Sequence, residues 1–284
     1  MSRLTTNQLS LAYGSRQIVQ GLNLHIPDGQ ITALVGANGS GKSTILKSMA
    51  RILNPAAGGV YLDGKLIHRQ PTKEVAKQLA ILPQNPTSPE GLTVRELVSY
   101  GRFPHQKGFG NLTQEDNQMV DWALHATGMS EFGDRAVDEL SGGQRQRAWI
   151  AMAVAQGTNV LLLDEPTTFL DMAHQMEVMI LLEKLNQEQK RTIIMVLHDL
   201  NHAARYAHHL VALKSGVVLY EGNPEEVVTS HMLRDVFNID ADVIPDPRHG
   251  APLCLPYGLA ADQEISSEAL PSVSSSLDKV KVLA

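Results

Sequence analysis

Residues 36–44 read GANGSGKST, and no other stretch restricts the chain so strongly. Gly36, Gly41, Lys42 and Ser43 fall on G-x-x-x-x-G-K-S, the pattern of a phosphate-binding loop. That pattern carries meaning only between a strand and a helix, and both are legible. Residues 31–35 (ITALV) form a short β-branched run suited to a buried parallel strand. After the loop, Ile45, Leu46, Met49, Ile52 and Leu53 share one side of a helix, which predicts helix over 45–53. Gly36, Gly39 and Gly41 let the backbone approach an anion with no Cβ in the way. Asn38, Ser40 and Thr44 complete the ligand-facing loop. Its N–H groups and the helix N-terminus would converge on phosphate oxygens. Lys42 would reach the β- and γ-phosphates, and the Ser43 hydroxyl would take Mg²⁺. The competing reading is a chance glycine-rich turn, against which the flanking strand and helix weigh. The glycines run G-x-x-G-x-G, so the dinucleotide fingerprint is excluded. A nucleoside triphosphate site is expected.

Charge and composition limit the partners. Of 284 residues, 43% are hydrophobic and 19% charged, ordinary for a globular chain with a sizeable core. A net charge of −6 with no long basic run argues against nucleic acid as a main partner. Apolar runs such as residues 160–163 and 193–197 are far too short to span a bilayer. Asn7, Gln8 and Ser10 interrupt any apolar run near the start, so no signal peptide is expected. One cysteine, Cys254, excludes an intrachain disulfide and fits a reducing compartment. The expected location is the cytosol or the cytosolic face of a membrane.

In chain order, residues 4–35 predict two or three antiparallel strands, the last leading into the loop. Tyr13 lies in the first turn, where it either stacks on a base or is simply amphipathic surface. Residues 59–67 predict a hairpin turning at Asp63-Gly64, and residues 80–83 a strand ending at Gln84. Residues 85–90, rich in Pro, Ser and Thr, mark a boundary. Thr93 with Glu96, and Thr113 with Asp116, are capping boxes that open two helices. Met119, Trp122, Ala123, Ala126 and Met129 predict the buried face of the second. Residues 85–157 thus form a mostly helical insert. Residues 159–165 (NVLLLDE) return to an apolar strand ending in Asp164 and Glu165. Helix is expected over 172–189 and 201–206, strand over 192–197 ending at His198, and a hairpin over 210–220. Two short helices over 224–237 close the domain. Beyond Asp240 the periodicity weakens, and residues 266–279 read as a loosely held tail.

A second anion-binding helix end stands at residues 140–144 (LSGGQ), where Ser141 can N-cap a helix that starts with Gly142, Gly143 and Gln144. On its own the string is an ordinary cap. Between a phosphate loop and an apolar strand ending in Asp-Glu, it resembles the ATP-binding subunit of an ABC transporter. Residues 36–44 match that family's Walker A, Gln84 its Q-loop, 140–144 its signature, 160–165 its Walker B and His198 its switch histidine. The order is right from about Leu4 to Phe237. In the loop after Walker B, Thr168-Phe169-Leu170-Asp171, the family more often has serine or asparagine at the Thr168 position.

The resemblance implies an α/β P-loop NTPase (RecA-like) core with an N-terminal antiparallel β-subdomain and an inserted α-helical subdomain. It implies one ATPase domain over 1–240 and an extension over 241–284. Asp164 would hold Mg²⁺ with Ser43, directly or through water, and the Gln84 amide would meet that ion or the attacking water. Glu165 would be the general base for the attacking water, worth roughly 10² to 10⁴ in rate. His198 would orient that water, and Gln84 would report the γ-phosphate to the helical insert. Ser141, Gly142, Gly143 and Gln144 would cap the ATP held by a second chain, so a homodimer is implied, and Asp171 of the loop after Walker B is a further nucleotide-binding candidate. Integral membrane permease subunits would dock on residues 85–103, with Leu97 and Tyr100 as contacts, and a substrate-binding protein would act through them.

Residues 101–105 (GRFPH), 168–175 (TFLDMAHQ), 197–202 (LHDLNH) and 246–256 (DPRHGAPLCLP) are similar to the branch importing ferric siderophores, haem and cobalamin. Ferric siderophore is the first expectation within it. A soluble ABC ATPase acting on DNA or ribosomes usually has two cassettes or long coiled-coil inserts, and this chain has neither. A non-hydrolysing nucleotide-gated module is expected to lack Glu165 or His198, and both are present.

Overall fold

The structure is a computed structural model and describes residues 2–106 and 111–260. The expected tail over 266–279 lies outside the described residues. The chain opens with two long antiparallel strands, β1 (Ser2–Tyr13) and β2 (Arg16–Pro27). The third strand, β3 (Ile31–Gly36), does not extend that pair; it enters a second sheet between parallel neighbours. Helix α1 (Lys42–Met49) is shorter than its spacing predicts: Ala50 caps it and Arg51 takes a positive φ. Ile52 is consequently 60% exposed. β4 (Ala57–Leu62) and β5 (Lys65–Leu66) form the expected hairpin, with Asp63 and Gly64 both at positive φ.

After α2 (Thr72–Ala76) and β6 (Leu79–Leu82) come three helices: α3 (Val94–Tyr100), α4 (Gln114–Ala126) and α5 (Gly142–Ala155). Capping boxes start all three, the first two as expected. Ala123 and Met129 are fully buried as expected, but the buried face of α4 is rotated toward Val120 and Leu124, which are also enclosed, whereas Met119, Trp122 and Ala126 are half-buried. Asp116 pulls that face round, because its carboxylate meets buried Arg102 at 2.8 Å. Leu97 is 1% exposed, so it packs the insert rather than offering a docking contact; Tyr100 and Phe103 are the exposed residues there.

β7 (Val160–Asp164), α6 (Met172–Gln189), β8 (Thr192–Val196), α7 (Leu200–Tyr206), β9 (His209–Lys214) and β10 (Val217–Gly222) follow, then short helices α8 (Pro224–Val227) and α9 (Ser230–Met232). Where periodicity fades, the chain is ordered by pairing instead: β11 (Ile239–Pro245) and β12 (Pro252–Leu259) make an antiparallel hairpin that crosses position 240. The Asn201 side chain both donates to Cys254 O and accepts from Cys254 N, fixing that hairpin to α7.

Two sheets organise the packing. One runs β2-β1-β4-β5 and the other β10-β9-β3-β8-β7-β6. The second is buried on both faces, which is why its strands read as apolar runs without alternation. Leu161, Leu163, Ile193 and Met195 face the helices α3 to α7. Val160, Leu162, Ile194 and Val196 face α1 and the antiparallel sheet.

Candidate active site

Parallel strands bring their carboxyl ends to one edge, and ligands of open α/β sheets bind there. Leu34 pairs with Val196, Val196 with Asp164, and Leu163 with Leu82. The register therefore sets Gly36, His198, Glu165 and Gln84 level at the ends of adjacent strands. Residues 36, 198, 165 and 84 are far apart in sequence and become one row.

The loop after β3 is held from below. A Cβ at Gly36 would lie 2.2 Å from Leu213 O, so only glycine fits at its φ of 146°. Lys42 is buried and its Nζ donates to Gly36 O at 2.7 Å and Ala37 O at 3.0 Å. The ammonium thus curls under the loop backbone that would wrap a phosphate. Burial pulls its pKa below the ordinary lysine value, against the charges of Glu165 and Asp164. Asn38, Gly39, Gly41, Lys42, Ser43, Thr44, Glu165 and His198 line an open cleft of about 130 Å³. A larger cleft, about 730 Å³, lies at Arg102, His105 and Thr113 and holds none of the loop residues, Asp164 or Glu165.

Asp164 and Glu165 are adjacent but differ in surroundings. Burial holds the Asp164 carboxyl above the usual carboxylate range, opposed by a hydrogen bond from Ser43 and the lysines 47 and 42. Its Oδ1 is buried with no hydrogen-bond partner, a costly state for an oxygen. A hard divalent cation would satisfy it, and the Ser43 hydroxyl and Gln84 amide complete an all-oxygen donor set that fits Mg²⁺. Among the described residues, no three His, Cys, Asp or Glu side chains converge as a metal cage. Such an ion would share its sphere with phosphate and water.

Glu165 turns out of the strand at φ 54°, aiming its carboxylate over the cleft. Oε1 lies 2.7 Å from His198 Nε2. Oε2 accepts from Gln84 Nε2 at 2.5 Å and from Thr168 Oγ1 at 3.0 Å. A carboxylate steered by three side chains beside a phosphate loop can take a proton from a water attacking phosphorus. Thr168 is the contributor that sequence reasoning passed over; a hydroxyl residue three positions after the carboxylate was the available signal.

Tyr13 is half exposed at the β1–β2 turn, and Ile18 and Val19 of the returning strand crowd Gly41. The turn therefore flanks the loop. Ser141, Gly142, Gly143, Gln144 and Asp171 are not among the walls of the cleft. Ser141 Oγ accepts from Gln144 N, and Gln144 Oε1 accepts from Ser141 N. The N–H groups of Gly142 and Gly143 have no intrahelical partner, as at any helix start. Asp171 caps α6 through His174 N at 2.9 Å and meets His174 Nδ1 at 2.8 Å; these bonds, the backbone one foremost, hold its carboxyl below the usual range.

Residues 19–168 match the family described as ABC transporter. The iron(3+)-hydroxamate import ATP-binding protein FhuC of Bacillus subtilis (strain 168) is 59% identical over 264 residues, spanning 93% of this chain and 98% of that protein. The ferric enterobactin transport ATP-binding protein FepC of Escherichia coli (strain K12) is 46% identical, spanning 94% and 98%. A solved dimeric post-hydrolysis state of the ATP-binding cassette MJ0796, bound to ADP and Pi, superimposes with a TM-score of 0.67 at 29% identity, covering 78% of this chain and 98% of that one.

Proposed function

The chain belongs to the ABC transporter family, and on that premise we propose that it is the ATP-hydrolysing subunit of an importer whose cargo is a ferric siderophore of the hydroxamate class. Cargo crosses through separate integral membrane permease subunits, and a substrate-binding protein delivers it to them. What supports the cargo is likeness to an iron(3+)-hydroxamate import protein along nearly the whole of both chains. No helix among the described residues is long and apolar enough to cross a membrane. An importer's ATP-hydrolysing subunit works where cellular ATP is, so on this reading it sits at the cytoplasmic face, held by the permeases. Tyr100 and Phe103, exposed on the segment after Gln84, offer the docking contact.

The observation that carries hydrolysis is the Glu165 carboxylate, held by His198, Gln84 and Thr168 beside Lys42. Lys42 and the loop N–H groups bind the β- and γ-phosphates. Ser43, Asp164 and Gln84 would hold Mg²⁺, which would neutralise phosphate charge there. Glu165 accepts a proton from water as that oxygen bonds to the γ-phosphorus and the bond to the ADP oxygen breaks. His198 keeps the water in line. Ser141, Gly142, Gly143 and Gln144 of a second copy close over the γ-phosphate, with Asp171 at the junction. Their absence from this chain's own cleft supports that arrangement. Tyr13 flanks the site where the base would lie.

The test is transport. The subunit is reconstituted with its permeases in vesicles and offered a ferric hydroxamate, a ferric catecholate, haem or cobalamin. ATP-dependent accumulation of the ferric hydroxamate is expected; accumulation of haem or cobalamin in its place would overturn the cargo assignment.

A further inference from the structure

We propose that His174 is a positioning residue for the signature turn: its ring is the wall against which Gly143 packs, so α6 sets where the first turn of α5 presents its N–H groups. The inference rests on the reading that this turn closes on a second chain's ATP. The contact is intimate. A Cβ added at Gly143 would lie 2.1 Å from His174 Cδ2 and 2.5 Å from Cγ. Gly143 is itself buried. The ring is fixed from behind, because Nδ1 lies 2.8 Å from Asp171 Oδ1 while the same oxygen caps the helix at His174 N.

Neighbouring contacts keep the two elements in step. Leu170 is the side chain nearest the face of Gly142, and Arg147 Nη1 donates to Glu177 Oε2 at 2.9 Å. Gln175 Nε2 donates to Leu170 O, bracing the intervening loop. The same loop begins at Glu165, which receives the Thr168 hydroxyl. Ten residues, 165–174, therefore join this chain's hydrolytic carboxylate to the turn it offers its partner.

The experiment compares Gly143→Ala, His174→Ala and the double variant, each in the Glu165→Gln background where ATP persists. ATP-driven association is read by light scattering, and Mg-ATP affinity of the single chain by calorimetry. Gly143→Ala should weaken association by about tenfold or more. His174→Ala alone should weaken association by about threefold or more, since the turn loses its wall, whereas added to Gly143→Ala it should recover about 2- to 100-fold, the range of coupling between touching residues. Single-chain affinity should stay at the parental value throughout, which a general loss of folding would not allow. His174→Asn keeps a donor for Asp171 but withdraws the ring, and should rescue Gly143→Ala in the same way. A double variant no better than Gly143→Ala, or an Asn variant that fails to rescue, overturns the inference. Ser141→Arg separates the two failures: if it leaves association intact, the two-chain reading is itself wrong.

Discussion

Replacing Glu165 by Gln tests the hydrolytic assignment most directly. In the structure Oε2 accepts from two donors, Gln84 Nε2 and Thr168 Oγ1, and Oε1 faces His198 Nε2. A glutamine can keep its carbonyl toward the two donors and turn its amide toward the histidine, which then accepts through Nε2. The shape survives, and Lys42, Ser43 and Asp164 are untouched, so nucleotide binding should survive as well. What is lost is the proton acceptor. General-base catalysis contributes roughly 10² to 10⁴, equivalent to about 3 to 5 kcal/mol of barrier at 1.36 kcal/mol per decade. Turnover of Mg-ATP, followed by phosphate release, should fall by that factor. Because ATP then persists, light scattering over a range of protein concentrations should reveal an ATP-dependent dimer. Turnover within about threefold of the parent would refute the base assignment. A variant that binds ATP yet stays monomeric at every concentration, even beside its permeases, would refute the two-chain site.

Asp164→Asn should raise the melting temperature of the nucleotide-free chain at neutral pH while abolishing Mg-dependent turnover. The folded-state pKa of Asp164 lies above its unfolded value, so its ionisation costs the folded state at pH above the raised value, and that cost fades as pH falls through it; a lower melting temperature at pH 7 would contradict this. Tyr100→Asp or Phe103→Asp should uncouple transport from hydrolysis in reconstituted vesicles with basal ATPase retained, whereas Leu97→Asp should unfold the insert, as circular dichroism would show, because Leu97 is 1% exposed. Gly216→Ala should destabilise the chain by about 2 to 4 kcal/mol in denaturant titration: a Cβ there would lie 1.8 Å from Ile18 O at a φ of 80°. It should also weaken ATP binding, since Gly216 N donates to Ser40 O in the phosphate loop at 2.9 Å.

Sequence alone determined what depends on local chemistry. The phosphate loop was legible because glycine spacing, a β-branched run and a helical period coincide within residues 31–53. Each capping box was legible because Thr93 with Glu96, and Thr113 with Asp116, satisfy one another within a single turn. The strands of the buried sheet announced themselves by unbroken apolar runs. Tertiary structure decided the rest, because it depends on which distant segments share a register. Pairing of Leu34 with Val196 and of Val196 with Asp164 turns residues 36, 198 and 165 into one row, a fact no local window contains. The end of α1 at Met49 and the rotated face of α4 follow from neighbours, Arg51 at positive φ and the buried Arg102–Asp116 pair, that outweigh helical period. The hairpin over 239–259 escaped periodicity because its order comes from cross-strand pairing and from Asn201 gripping Cys254. The contact of His174 with Gly143 joins two helix starts that sequence places apart; only packing in three dimensions could bring a ring and a glycine to that distance.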